Sequence, residues 1–217
     1  MMPRWQRRSA GWVVALAAAG AFCYWLPPFH VVPLQADRPP SASPAAAFDA
    51  EAFVARFWSE RLLAAEARAA DAARVLRALR ENPAGAGELG RRLGLGRALC
   101  FFVRGQGHIS RVAPDAVRIA LEGEPEPGSV VIETGPVFGN ALRDGTGLLD
   151  VSAFPNSQDF NAIATALNRR VETEVLPALG ARAVAGARVR FLGCAEVSDP
   201  ETWTPPLRVV PVRLEWP

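Results

Sequence analysis

The stretch ALCFFVRGQGHISRV, residues 98–112, is where the chain changes its hydrophobic period, and its reading decides the fold. Cys100-Phe101-Phe102-Val103 is a short continuous apolar run, as in a buried strand. Gly105-Gln106-Gly107 predicts a turn, with His108 to Val112 as the returning strand. Beyond it, Val117, Ile119 and Leu121 alternate with Arg118 and Ala120, and Val130-Val131-Ile132 forms another strand. Gly135 to Gly147 reads as a loop and Leu148 to Phe154 as a further strand. A helix follows. Asn156 or Ser157 can cap it, Phe160, Ile163, Leu167, Val171 and Val175 form its buried stripe, and Pro177 is expected to end it. Val189 and Phe191 then alternate with Arg188 and Arg190. The last strand, Leu207 to Leu214, contains Pro211 and therefore needs a sheet edge or a bulge. Three strands, a helix and two strands is the order of the OB-fold, a five-stranded Greek-key barrel with one helix between strands three and four. A mixed α+β sheet also fits. The expected class is α+β.

Upstream, Phe53, Phe57, Trp58, Leu62, Ala65, Ala69, Ala72, Leu76 and Leu79 recur at helical spacing. They predict one long helix from Asp49, which can cap it, to Arg80, ended by Glu81-Asn82-Pro83. A short second helix is expected over Gly87 to Leu93. Asp37 to Ala47 (DRPPSASPAAA) is a linker, extended and with little reason to pack.

The first residues give the address. Arg4, Arg7 and Arg8 precede an uncharged run from Ser9 that lasts until Asp37, within which Ala10 to Leu26 is wholly apolar or small. Such a run directs the remainder of the chain across a membrane, with the arginines held inside. Trp25-Leu26-Pro27-Pro28-Phe29 offers no small-residue cleavage site, and Cys23 follows Phe22 inside the run. An uncleaved anchor with the domain outside the cytoplasm is expected over a cleaved signal, whose late site after Ala36 has Leu34 three positions before the cut; Trp25 and Phe29 then lie at the outer interface. The boundaries are 1–36 for the anchor, 37–47 for the linker, 48–96 for a helical segment and 97–217 for the barrel.

Setting aside Arg4, Arg7 and Arg8 removes three positive charges and takes the formal net charge from +2 to −1. A near-neutral exported domain has no gross field for nucleic acid. All 24 basic residues are arginine. With only His30 and His108, a metal site is not expected, nor is a cofactor. Cys100 and Cys194 read as buried free thiols rather than a disulfide.

No catalytic constellation is displayed. Arg143 beside Asp144, within the glycine-rich loop 135–147, sets a fork of donors next to an acceptor pair, which suits a carboxylate or sugar hydroxyls. Asn140 and Asn156 extend this candidate ligand site. The competing reading is a structural loop in which Arg143 pairs with an acid such as Asp150. Asn156 also has a plain use as a helix cap.

Val131-Ile132-Glu133-Thr134-Gly135-Pro136-Val137, then Gly139-Asn140-Ala141-Leu142-Arg143-Asp144, with Phe154-Pro155-Asn156-Ser157-Gln158-Asp159-Phe160 and Ala166-Leu167-Asn168, resemble the pattern of an uncharacterised family of predicted periplasmic lipoproteins. Phe48-Asp49-Ala50 with Phe53 and Trp58, and Phe102-Val103-Arg104-Gly105 with Gly107, fit the same pattern. The resemblance implies an OB-like barrel preceded by helices, encoded beside carbohydrate ABC-transporter components. The family has no agreed functional residues, so none carries over. Members place a lipid-acceptor cysteine just before an apolar stretch like Val31-Val32-Pro33-Leu34. Phe29 and His30 stand there in this chain, and an uncleaved anchor would substitute for the lipid.

Three functions are weighed. The first is a non-enzymatic protein of the inner membrane, accessory to solute uptake through a transporter permease or substrate-binding protein. The second is a small-ligand module for a sugar or organic acid. The third is an exported hydrolase, which would have to assemble its acids from Asp144, Asp150, Asp159 or Glu133.

Overall fold

The computed structural model describes residue 22 and residues 48–94, 96–124 and 128–217. The expected anchor and linker lie outside the described residues, apart from Phe22. Among the described residues no helix is long and apolar enough to cross a membrane.

Residues 48–217 form one compact unit. Helix α1 (Ala50–Phe57) starts where Asp49 Oδ1 accepts the Ala52 N–H at 2.9 Å, as its sequence predicts. It runs on as a π-helical turn (Trp58–Leu62) and a 3-10 turn (Leu63–Arg68). The single long helix expected here is broken. Ala69 turns extended, and strand β1 (Ala70–Asp71) pairs in parallel with Val103 and Arg104. Asp71 then caps α2 (Ala72–Glu81) by accepting the Arg74 N–H at 3.0 Å. Asp71, inside the single helix expected from 49 to 80, is the start of a new one. The short helix expected at 87–93 is a 3-10 segment, Pro83–Glu88, followed by strand β2 (Arg91–Arg92) against Cys100 and Leu99.

Strand β3 (Leu99–Val112) passes through Gly105-Gln106-Gly107 without turning. The glycines serve close approach instead. A Cβ on Gly107 would lie 2.0 Å from the Ala120 carbonyl oxygen, and one on Gly105 would lie 2.7 Å from Phe191 Cζ. β3 pairs with β4 (Ala116–Leu121) along its second half and with β6 (Arg188–Val197) along most of its length. β4 continues to β5 (Val130–Glu133). The last strand divides at Val209: β7 (Leu207–Arg208) runs parallel to β5, and β8 (Val210–Glu215) antiparallel to β6. The path β7-β5-β4-β3-β6-β8 therefore closes on itself as an OB-type cylinder. Among the described residues the sheet counts eight strands rather than five. β1 and β2 add to the free edge of the long β3, and one barrel strand is cut in two. Pro211 sits opposite Gly193 where the register shifts, the bulge its missing N–H required.

Leu148 to Phe154 is not a strand; it holds a 3-10 turn, Val151–Ala153. Short helix α3 (Ala141–Gly145) precedes it, and α4 (Ser157–Arg170) follows, capped by Asn156. Pro177 does not end this helix. A π-helical turn (Val171–Val175), in which the Leu176 N–H reaches back to Val171 O, absorbs the proline, and α5 (Leu176–Arg182) continues. The wider turn accommodates a residue that has no N–H and would crowd the carbonyl four residues earlier. Phe160, Ile163, Leu167, Val171 and Val175 are all buried, as their spacing predicts. They share one hydrophobic core with Phe101, Ile109, Ile119, Ile132 and Phe191 of the strands. Each such side chain contributes roughly 1.5–3 kcal/mol on leaving water.

Candidate functional site

Arg143 lies on α3 and is only 8% exposed. Its Nε and Nη2 donate to Oδ1 and Oδ2 of Asp144 at 2.7 and 2.9 Å, and its Nη1 donates to Asn161 Oδ1 at 2.8 Å. The guanidinium also stands 4.1 Å from the centroid of the Phe160 ring. The fork, the amide and the ring face together replace the water this cation lost on burial. Arg143 thus fastens α3 to the first turn of α4. Its acid partner is the adjacent Asp144, not Asp150.

Asn140 is exposed at the start of α3, and its carbonyl accepts the Asp144 N–H at 2.9 Å. Asn156 Oδ1 accepts the Asp159 N–H at 2.8 Å while its Nδ2 donates to Asp159 Oδ2 at 2.9 Å, the bonds of a helix cap. The structure therefore brings Arg143 and Asp144 together and engages Asn156 in the cap. Asn161 and Phe160, the partners that hold Arg143, were not legible as such. Phe160 signalled only a buried stripe.

Beneath α3, Gly145 rests on both cysteines. A Cβ there would lie 3.1 Å from Cys194 Sγ and 3.6 Å from Cys100 Cβ. Both thiols are buried and free. Burial pushes the Cys100 thiol up to about 12, with Glu196 and Asp144 adding to the rise. Burial, then the neighbouring Cys100, holds Cys194 well above the usual thiol range. Neither is a nucleophile at neutral pH.

The other acids weighed above have partners within the fold. Asp150 is exposed, and the Ser152 backbone N–H and hydroxyl hold its carboxyl below the usual range. Glu133 pairs with Arg208, and Asp159 serves the cap.

A polar cleft of about 600 Å3 opens along the edge of β3 between Arg104, where β1 pairs, and Gly107, where β4 begins to pair. Gly105 and Gln106 form its floor. Glu66 and Asp71 lie on one wall and Leu121 and Glu122 on the other. Glu66 pairs with Arg213, and Gln106 Nε2 donates to Glu122 Oε2 at 2.7 Å. Arg104 faces the cleft with no side-chain partner among the described residues. The cleft went unnoticed in the sequence because Gly105-Gln106-Gly107 read as a turn. A second cavity, of about 620 Å3, is mostly apolar, lined by Pro114, Pro136, Leu176 and Pro177, with the carboxylate of Glu172 accepting the Val137 N–H at 2.6 Å.

A family model described as "Predicted periplasmic lipoprotein (DUF2291)" matches residues 13–215. Among solved structures, an OB-fold protein of Thermotoga maritima, a crystal structure at 1.90 Å resolution, superposes with a TM-score of 0.69 at 25% identity. The match covers 78% of this chain and 99% of that one. No curated protein matches.

Proposed function

The chain belongs to this family of predicted periplasmic lipoproteins, and we propose that it is a non-enzymatic protein held at the inner membrane by its apolar leader, accessory to solute uptake. The observation that carries the periplasmic, membrane-proximal part of this reading is the reach of the family match, which begins at residue 13 inside the apolar leader and ends at residue 215. Leader and barrel belong to one pattern. The commitment of Asp144, Asp150, Asp159 and Glu133 to pairs and caps supports the non-enzymatic part, since a hydrolase needs a free acid and base facing one substrate. The partner proposed is a transporter permease or a substrate-binding protein for a carbohydrate. The test is crosslinking in native membranes, affinity purification of the tagged full chain and mass spectrometry. Recovery of a transport component supports the reading; repeated recovery of the protein alone sinks it.

The polar cleft favours a second reading, a binding module for a sugar or organic acid. Here Arg104, with no partner among the described residues, is better placed than Arg143, whose bonds are internal. A panel of sugars and organic acids would be screened for thermal stabilisation. A shift lost in Arg104→Ala supports the cleft, a shift lost only in Arg143→Ala returns the site to the loop, and no shift at all removes the reading.

A further inference from the structure

The register of β3 gathers arginines on one outer surface of the barrel. Ile109 pairs with Ile119, and both are buried. The register then shifts, so that the next pair is Arg111 with Arg118. This bulge leaves Ser110 unpaired and turns Arg111 outward, directly opposite Arg118. Ser110 Oγ donates to Arg118 O at 3.2 Å and closes the bulge. On the other side of β3, His108 pairs with Arg188. Neighbouring strands run about 4.8 Å apart. Arg111 therefore stands beside Arg118 and His108 beside Arg188 on neighbouring strands, and all four are exposed.

Among the described residues, Arg111, Arg118 and Arg188 have no ion pair and no side-chain hydrogen bond. Among the described residues, acids around them are engaged elsewhere: Glu122 by Gln106, Glu133 by Arg208, Glu215 by Arg190 and Arg213. Asp115, in the β3–β4 turn, is the remaining acid of this hairpin. Like charges set directly opposite across strands oppose folding. In a domain near neutrality, a bulge that brings two arginines face to face with no carboxylate between them produces a surface suited to an outside anion.

We propose that this surface docks an acidic patch of a partner protein. Three guanidinium forks present paired donors that match carboxylate geometry. The accessory reading calls for a protein at this surface rather than the bilayer; the inference rests on that reading and gives its partner a chemistry.

The test uses the full chain in nanodiscs, with a fluorescent poly-L-glutamate peptide as probe. The triple variant Arg111→Gln/Arg118→Gln/Arg188→Gln is expected to weaken binding about tenfold or more. Arg56→Gln/Arg68→Gln/Arg74→Gln, which removes the same charge elsewhere, is expected to change it less than about twofold. Equal losses in the two variants overturn the proposal. So does binding to phosphatidylglycerol vesicles that needs the three arginines while the peptide fails to bind, because the occupant is then the bilayer. If a transport component crosslinks equally to wild type and triple variant, this surface is wrong and the accessory reading stands. If the peptide result holds and no transport component is recovered, the surface stands and the accessory reading falls.

Discussion

Arg143 and Arg118 carry the same cation in opposite surroundings. Arg143 is buried and has gathered a carboxylate fork, an amide oxygen and an aromatic face. Arg118 is exposed, faces another arginine and has gathered nothing among the described residues. A buried charge without partners would cost several kcal/mol, so the fold supplies them. An exposed one is stabilised by water, so the fold can leave it idle. What an arginine does here follows from how much solvent it keeps.

The contrast breaks most visibly at Arg143. Arg143→Ala strands the Asp144 carboxylate and should cost about 3 kcal/mol in urea unfolding, with an unchanged denaturant slope. A loss below about 1 kcal/mol would place Arg143 with the surface arginines. Replacing the pair together, Arg143→Met/Asp144→Leu, should recover most of the loss, since two matched apolar side chains leave no charge behind.

A smaller effect probes the seat on which Arg143 depends. Gly145→Ala puts a Cβ 3.1 Å from Cys194 Sγ and 3.2 Å from Cys194 Cβ, both rigidly placed on β6. Helix α3 must lift by a few tenths of an ångström, at a cost of about 1–2 kcal/mol. The Arg143→Ala and Gly145→Ala losses should then fall short of additive in a double-mutant cycle.

The thiols beneath that helix give a pH test. Burial raises the folded value of Cys100 from about 9 to about 12, so the folded chain keeps a proton that the unfolded chain gives up first. The associated stability is complete below pH 9 and is lost as pH climbs from 9 through 12. In line with this, iodoacetamide at pH 8 should alkylate Cys100 and Cys194 only after urea unfolding. Fast labelling of the native chain would show the floor to be open.

The smallest effect has the opposite sign. Arg118→Gln relieves the repulsion with Arg111 and should stabilise the domain by about 0.5 kcal/mol at low salt, fading as salt is added. Destabilisation would mean that the arginine already has a use within the fold.

The sequence was most informative where a single helix or strand decides its own pattern. The buried stripe from Phe160 to Val175, the caps at Asp49 and Asn156 and the bulge demanded by Pro211 are local facts, and the structure contains them. It misled where a residue answers to a distant partner. Gly105 and Gly107 looked like a turn because their constraint comes from Phe191 and Ala120 on neighbouring strands. Pro177 looked like a stop because nothing local announces that Val171–Val175 widens to receive it. Arg143 with Asp144 left a ligand fork and a structural pair both open, because Asn161 and Phe160, which complete its shell, lie on another helix. The opposition of Arg111 and Arg118 depends on one extra residue in a register, invisible to any period of two.

The division of the last strand at Val209 has a mechanical consequence. The cylinder is joined at that point by the pairs Val130 with Leu207 and Val131 with Arg208, through the Leu207 N–H to Ser129 O and the Val209 N–H to Val131 O. β3 and β6, by contrast, are paired along ten positions. A ring opens at its shortest joint, and this one can part while the rest of the sheet stays zipped. The barrel is thus a curled ribbon with a clasp, and amide exchange at Leu207 and Val209 should report the clasp opening well before the ribbon uncurls.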